Sequence, residues 1–109
     1  MDDVSNYEDV VDATDDERIT VAVGAEGNGG NFAFDPPAVR VSPGTTVTWQ
    51  WSGKGGTHNV VATDGTFDSG APAGEAGTEF AFAFDDGGAY PYYCVPHKSL
   101  GMKGIVVVE

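Results

Sequence analysis

The chain has 109 residues, enough for one domain of ordinary size with a single hydrophobic core. Seventeen acidic residues against five basic ones give a formal net charge of -12 and a pI near 4.1. Such a surface repels nucleic acid and anionic membranes, so neither is expected as a partner. The composition is typical both of ordinary acidic soluble proteins and of halophilic proteins, in which salt screens the repulsion between carboxylates.

Cysteine content and hydropathy exclude two further features. One cysteine cannot form an internal disulfide. No apolar run approaches the roughly 20 residues of a membrane span, and the basic-then-apolar start of a secretory signal is absent. Any signal or anchor of the natural protein is therefore expected to precede the sequence given.

The chain divides at residue 18. Residues 1–18 carry eight of the seventeen acidic residues and show little apolar periodicity. They are predicted to form a solvated, partly disordered acidic arm with at most one short helical or docked segment, around residues 7–11. Residues 19–109 are predicted to form the folded domain.

From residue 19 onward, short segments alternate apolar and polar residues and are separated by Gly, Pro, Asp and Ser. In one of them Val47, Trp49 and Trp51 share a face, and the Pro43–Gly44 pair before it is a turn signal. Period-two alternation predicts strands with one buried face. About eight strands, without a helical pattern of useful length, predict an all-β sandwich or barrel. The clearest segments are ITVAV (19–23), AVRV (38–41), TVTWQW (46–51), TEFAFAF (78–84), YPYYC (90–94) and GIVVVE (104–109).

One short stretch concentrates metal-ligand residue types. Taken singly, Cys94, His97 and Met102 would each more often be structural than ligands. Together they place a thiol, an imidazole and a thioether in a single loop between two predicted strands. His58 stands 36 residues before Cys94 at the start of another predicted strand, and a sandwich can bring the ends of non-adjacent strands together. The stretch is YYCVPHKSLGM (92–102).

This ligand set favours copper. Two imidazoles, a thiolate and a weak axial thioether are the ligands of a blue-copper site. Structural zinc has no use for a thioether, and a copper chaperone would be expected to carry more thiolates or methionines. The sequence therefore predicts one copper ion, cycling between Cu(I) and Cu(II), with the ligands His58, Cys94, His97 and Met102.

The same segments carry a family resemblance. GAYPYYCVPHKSLGMKGIVVV resembles the carboxy-terminal strand-loop-strand of the plastocyanin and pseudoazurin group of cupredoxins, and FDPPAVRVSPGTTVTWQW with THNVV is similar to their middle section. With the acid-rich surface, the chain is most similar to the halocyanins of extreme halophiles. The resemblance covers residues 19–109. It implies an eight-stranded cupredoxin-like Greek-key sandwich that carries one electron through copper bound near one pole.

The resemblance also implies roles for residues around the copper. Asn59 would tie the two ligand loops together and donate its backbone N–H toward the thiolate sulfur. The imidazole of His97 would reach the surface inside an apolar patch and pass the electron. The candidates for that patch are Pro36, Pro96 and Leu100. The implied partners are membrane-associated redox proteins outside the cytoplasm, with this protein a monomer tethered at the outer face of the membrane by a segment absent from this chain.

Two other interpretations stay open at this stage. The chain could be an electron-transfer domain from a larger multicopper oxidase or nitrite-reductase-like enzyme, or a metal-free immunoglobulin-like binding module. The chain alone is not expected to be an enzyme or to bind a small-molecule substrate, because further copper centres would need more histidines than the two present.

Overall fold

A computed structural model of the chain describes residues 10–27, 30–96 and 102–109. Within these ranges there is no α-helix, and no helix has the length and apolar character needed to cross a membrane. Nine strands are described: β1 (Val11–Asp12), β2 (Arg18–Gly27), β3 (Gly30–Asp35), β4 (Ala38–Val41), β5 (Thr45–Trp51), β6 (Val61–Ala62), β7 (Glu79–Phe84), β8 (Gly88–Tyr93) and β9 (Lys103–Val108).

The strands form two sheets. One has the order β1-β4-β9-β8-β6 and the other the order β3-β2-β5-β7. Strands distant in sequence pair in parallel, β2 with β5 and β4 with β9, whereas β5 with β7 and β8 with β9 are antiparallel. The predicted all-β sandwich is confirmed. The described strands number nine rather than about eight, with the two-residue β1 at the edge of one sheet.

The core lies between the sheets, where the alternating apolar residues predict it. Val47, Trp49 and Trp51 are all buried, while the residues between them are half-buried or exposed. The ring of Trp49 packs edge-on against Tyr92 of the facing sheet, with ring centroids 5.3 Å apart, and lies 5.2 Å from Phe67. Aromatic contacts of this kind add to the burial of apolar surface and fix how the sheets face each other.

The segment before β2 takes part in the sandwich. β1 pairs in parallel with β4, Val11 opposite Val39. Arg40 of β4 lies 3.5 Å from a carboxylate oxygen of Asp12 and 3.6 Å from one of Glu109. Val11 and Asp12 of the expected arm are therefore part of a sheet. Residues 1–9 lie outside the described ranges.

Three chain segments meet at one end of the sandwich, which we call the site end. β5 ends there at Trp51, whose indole N–H donates to the carbonyl of His58 at 2.9 Å. β8 ends there at Tyr93, paired with Lys103 at the start of β9. The candidate metal ligands His58, Cys94 and Met102 lie in the segments next to these strand ends.

Candidate metal centre

Cys94 and Met102 are held side by side by the β8–β9 pair. Just beyond the last paired residues, the backbone N–H of Cys94 donates to the carbonyl of Met102 at 3.0 Å. Both side chains are fully buried. The two sulfur-bearing residues are thus fixed by the sheet itself, whose strands are stiffer than a loop.

His58 reaches the site end from the segment that connects β5 to β6. Its backbone N–H donates to the carbonyl of Ala73 at 2.8 Å, and its carbonyl accepts from the N–H of Ala73 at 2.9 Å. The same carbonyl accepts the indole N–H of Trp51. The residue forms an isolated β-bridge rather than opening a strand, since β6 begins only at Val61. These bonds fix the backbone from which the imidazole projects.

The imidazole of His58 faces the thiol. Its Nδ1 lies 3.7 Å from the Sγ of Cys94, and both residues are buried. Its Nε2 lies 2.7 Å from the carbonyl oxygen of Lys54. Because a carbonyl only accepts, the proton of the neutral ring is on Nε2 and the lone pair is on Nδ1. The ring therefore presents its basic nitrogen to Cys94.

Burial sets the charge of His58. Desolvation lowers the pKa of this imidazole below its ordinary value, and the hydrogen bond to the Lys54 carbonyl opposes that shift in part. A lowered pKa favours the neutral ring, which is the form that binds a metal ion.

Asn59 connects the two segments that carry His58 and Cys94. Its Oδ1 accepts the backbone N–H of Val95 at 2.8 Å, and its Nδ2 donates to the carbonyl of Gly70 at 3.2 Å. The side chain is buried and uses both its acceptor and its donor, which determines the orientation of the amide.

The surface beside Cys94 is apolar. Val95 is 53% exposed and Pro96 is also exposed. His97 and Leu100, which follow in sequence, lie outside the described residues. Val95 was not among the residues predicted for an apolar patch, although a bulky aliphatic residue between the cysteine and a turn proline is a signal for one.

Pro36 is half-buried and directly follows β3. The carbonyl of the next residue, Pro37, accepts the backbone N–H of Ile105 at 2.8 Å. Because β4 runs parallel to β9 and β9 begins at Lys103, the turn that contains Pro36 lies toward the site end.

In the described part of the chain, no three His, Cys, Asp or Glu side chains converge. The donors brought together there are the imidazole of His58 and the thiol of Cys94, with Met102 adjacent through its backbone. A mixed set of imidazole, thiol and thioether suits copper better than it suits zinc or magnesium.

An all-β sandwich with such donors at one end defines the class of cupredoxins. The sequence pattern of copper binding proteins of the plastocyanin/azurin family matches residues 19–109. The chain belongs to that family. A metal-free immunoglobulin-like module is thereby excluded as its classification.

Individual relatives agree with this assignment. Halocyanin of Natronomonas pharaonis is 48% identical over 104 residues, which cover 93% of this chain and 62% of that protein. Plastocyanin of Scenedesmus fuscus is 35% identical over 100 residues, covering 84% of this chain and 99% of that one. The solved oxidized plastocyanin of Dryopteris crassirhizoma superposes with a TM-score of 0.67 at 29% identity, covering 84% of this chain and all of that one. The chain thus spans less than two thirds of the halocyanin it matches.

Proposed function

We propose that this protein is a blue-copper electron carrier that holds one copper ion between His58, Cys94, His97 and Met102. The observation that carries the proposal is the 3.7 Å separation between the Nδ1 of His58 and the Sγ of Cys94, residues 36 positions apart in sequence. Residues 19–109 would carry the copper site, and the acidic segment before them contributes β1 (Val11–Asp12) and the first residue of β2 to the sandwich.

The separation of these two atoms fits a shared ion. A first-row divalent ion binds thiolate at about 2.3 Å and imidazole at about 2.0 Å. Two such ligands at roughly 110–120° to each other lie about 3.5–3.7 Å apart. The 3.7 Å between Nδ1 and Sγ lies at the upper end of that interval. The pair therefore needs little rearrangement to take up an ion.

The carrier function follows from how firmly the donors are held. Copper supplies a one-electron cycle between Cu(II) and Cu(I) that requires no bond to a substrate. The backbones of Cys94 and Met102 are fixed by the β8–β9 pair, and that of His58 by Ala73 and Trp51. Because these bonds keep the donors in one arrangement, little reorganisation accompanies the gain or loss of an electron. Asn59 contributes by linking the His58 segment to the segment after Cys94.

The apolar surface at the site end suits brief contact with a partner. Val95 and Pro96 are exposed next to Cys94 and directly precede His97 in sequence. With Leu100 they would surround the edge of His97, through which the electron would pass. A small apolar patch with few specific bonds permits rapid association and release. Pro36 is half-buried in the turn between β3 and β4, whose Pro37 carbonyl bonds the N–H of Ile105 near the start of β9, and it completes the patch candidates.

The partners of this carrier are other redox proteins. We infer that they are associated with the membrane, that the chain acts outside the cytoplasm as a monomer, and that a preceding segment tethers it to the outer face of the membrane. The acid-rich composition supports a salt-rich environment, since high salt screens the repulsion that a charge of -12 creates. Enzymatic activity is not expected, because both histidines of the chain serve the one site.

The proposal is tested by adding an equimolar amount of Cu(II) to the metal-free protein and recording its visible spectrum. An intense blue thiolate-to-copper band is expected, saturating at one copper ion per chain. In Cys94→Ser the band disappears while the far-ultraviolet circular dichroism of the sandwich persists. A band that survives in Cys94→Ser would refute the assignment of the thiolate.

A further inference from the structure

The loop from β5 to His58 begins with a serine that is bonded in three directions. The hydroxyl of Ser52 donates to the carbonyl of Gly24 at 2.8 Å and accepts the backbone N–H of Lys54 at 3.1 Å. Its backbone N–H donates to the carbonyl of Val23 at 2.9 Å. One exposed side chain therefore fastens the start of this loop to β2 of the same sheet.

The second partner of this hydroxyl is the residue whose carbonyl holds the imidazole. The backbone N–H of Lys54 donates to the hydroxyl of Ser52, and the carbonyl oxygen of Lys54 lies 2.7 Å from the Nε2 of His58. A continuous series of contacts thus runs from β2 through Ser52 and Lys54 to His58. At the other side of the ring, Nδ1 faces Cys94.

The backbone packs closely around the imidazole of His58 and the carbonyl of Lys54. The pairing of β2 with β3 is irregular at Gly24, which has a φ of 84°. A Cβ at that position would lie 2.7 Å from the carbonyl oxygen of Lys54, 2.8 Å from the Oγ of Ser52 and 3.0 Å from the Nε2 of His58. A Cβ on Gly55 would also lie 3.0 Å from that Nε2. Two glycine backbones therefore enclose the protonated edge of the imidazole.

We propose that Ser52 is a positioning residue for His58. By anchoring Lys54 to Gly24, its hydroxyl keeps the Lys54 carbonyl where it holds the proton on Nε2 and turns Nδ1 toward Cys94. The contact series is a property of the polypeptide alone. Its consequence for copper rests on the function proposed above.

A purely structural role for Ser52 predicts a different pattern of effects. If its hydroxyl only closed a loop, removing it would lower stability without changing the imidazole. Ser42 provides a matched control, because its hydroxyl donates to the carbonyl of Thr14 at 2.7 Å at the opposite end of the sandwich. Ser42→Ala loses a side-chain hydrogen bond of the same kind far from His58.

The primary test uses the metal-free protein and nitrogen-edited NMR of its imidazoles. In the wild type, His58 should show the tautomer protonated on Nε2, with slow exchange of that proton with water. In Ser52→Ala the exchange should accelerate about five- to tenfold, the effect of losing one ordinary hydrogen bond or slightly more. Ser42→Ala should leave it unchanged. An exchange rate in Ser52→Ala equal to that in Ser42→Ala would overturn the proposal.

A second pair of variants separates the hydroxyl from the shape of the side chain. Ser52→Thr keeps the hydroxyl and Ser52→Val has nearly the same shape without it. Exchange should stay slow in Ser52→Thr and become fast in Ser52→Val. Equal rates in the two would overturn the proposal, and the comparison remains usable if Ser52→Ala does not fold.

Copper release adds a readout tied to function. In copper-loaded protein, Ser52→Ala and Ser52→Val should lose copper to a chelator about tenfold faster than wild type, the lower end of the effect of residues that orient ligands. Ser52→Thr and Ser42→Ala should release it at the wild-type rate. If wild type binds no copper, the proposed function fails, while the NMR comparison still decides the role of Ser52.

Discussion

Both ends of the sandwich contain side-chain hydrogen bonds to the backbone, but the bonds at the two ends have different consequences. At the far end, where β5 begins, the hydroxyl of Thr45 donates to the carbonyl of Asp16 at 3.2 Å, and Ser42 bonds Thr14 in the same way. These bonds hold loop backbone beside exposed carboxylates. At the site end, side-chain bonds from Ser52 and Asn59 surround buried donors.

This difference indicates which hydrogen bonds affect metal binding as well as stability. A hydrogen bond that only ties a loop to a neighbouring segment contributes a modest amount to stability. A similar bond beside a buried imidazole or thiol also determines which atom faces the metal, because the ring cannot turn to water for an alternative partner. Substitutions at the two ends should therefore separate stability from metal binding.

The largest expected effect comes from adding a methyl group at Gly104 of β9, two residues after Met102. A Cβ on Gly104 would overlap the ring end of Tyr92 and lie 2.8 Å from the carbonyl oxygen of Pro37. Tyr92 is fully buried and cannot move aside, so Gly104→Ala should destabilise the protein by about 1–3 kcal/mol or more. Urea denaturation measures this loss.

The other end of the same hairpin supplies the control. A Cβ on Gly87 would make only ordinary contact, 3.6 Å from the carbonyl oxygen of Val108. Gly87→Ala should therefore change stability by less than about 0.5 kcal/mol. Equal losses for the two variants would show that the packing of Tyr92 over Gly104 does not restrict this pair of strands.

A smaller effect is expected at Asn59. Asn59→Ala leaves the N–H of Val95 without its acceptor and should lower the free energy of unfolding by about 1–2 kcal/mol. It should also weaken copper binding about 10- to 100-fold, because the segment after Cys94 is no longer tied to that of His58. Chelator competition measures the affinity.

Ser42→Ala sharpens this comparison from the far end. It should reduce stability by at most about 1 kcal/mol and leave copper affinity at the wild-type value. Equal losses of affinity in Ser42→Ala and Asn59→Ala would mean that copper binding follows overall stability, not the local bond.

The smallest effect is expected at Arg40, which contacts Asp12 and Glu109 on the surface. Arg40→Ala should cost about 0–1 kcal/mol at low salt, as exposed ion pairs do. The difference from wild type should fade in molar salt, where screening removes the attraction. A larger loss that persists in high salt would indicate that the alkyl part of Arg40, not its charge, holds β1 to β4.

The sequence was sufficient for the parts of this fold that depend on side-chain pattern. Alternation predicts β5 and its buried tryptophans, and clustering of Cys94 with Met102 predicts that they are close. It was insufficient where backbone atoms do the positioning. The bridge from His58 to Ala73 and the bond to the Lys54 carbonyl depend on main-chain groups that every residue carries.

Short or punctuated strands were also hard to predict. β3 contains alternating phenylalanines but stands between glycines and two prolines, which are signals for a loop. β1 has two residues and lies in an acidic segment whose composition favours solvent. In the structure β1 pairs with β4, and Asp12 contacts Arg40. Both interactions involve a partner strand far along the chain, so the local sequence of β1 does not predict them.

X-ray absorption at the copper edge of the loaded protein tests the central claim most directly, since it counts the atoms bound to the metal. The account predicts one sulfur at short distance and two imidazole nitrogens in the first shell, with the sulfur lost in Cys94→Ser. A first shell of nitrogen and oxygen only in the wild-type protein would contradict it.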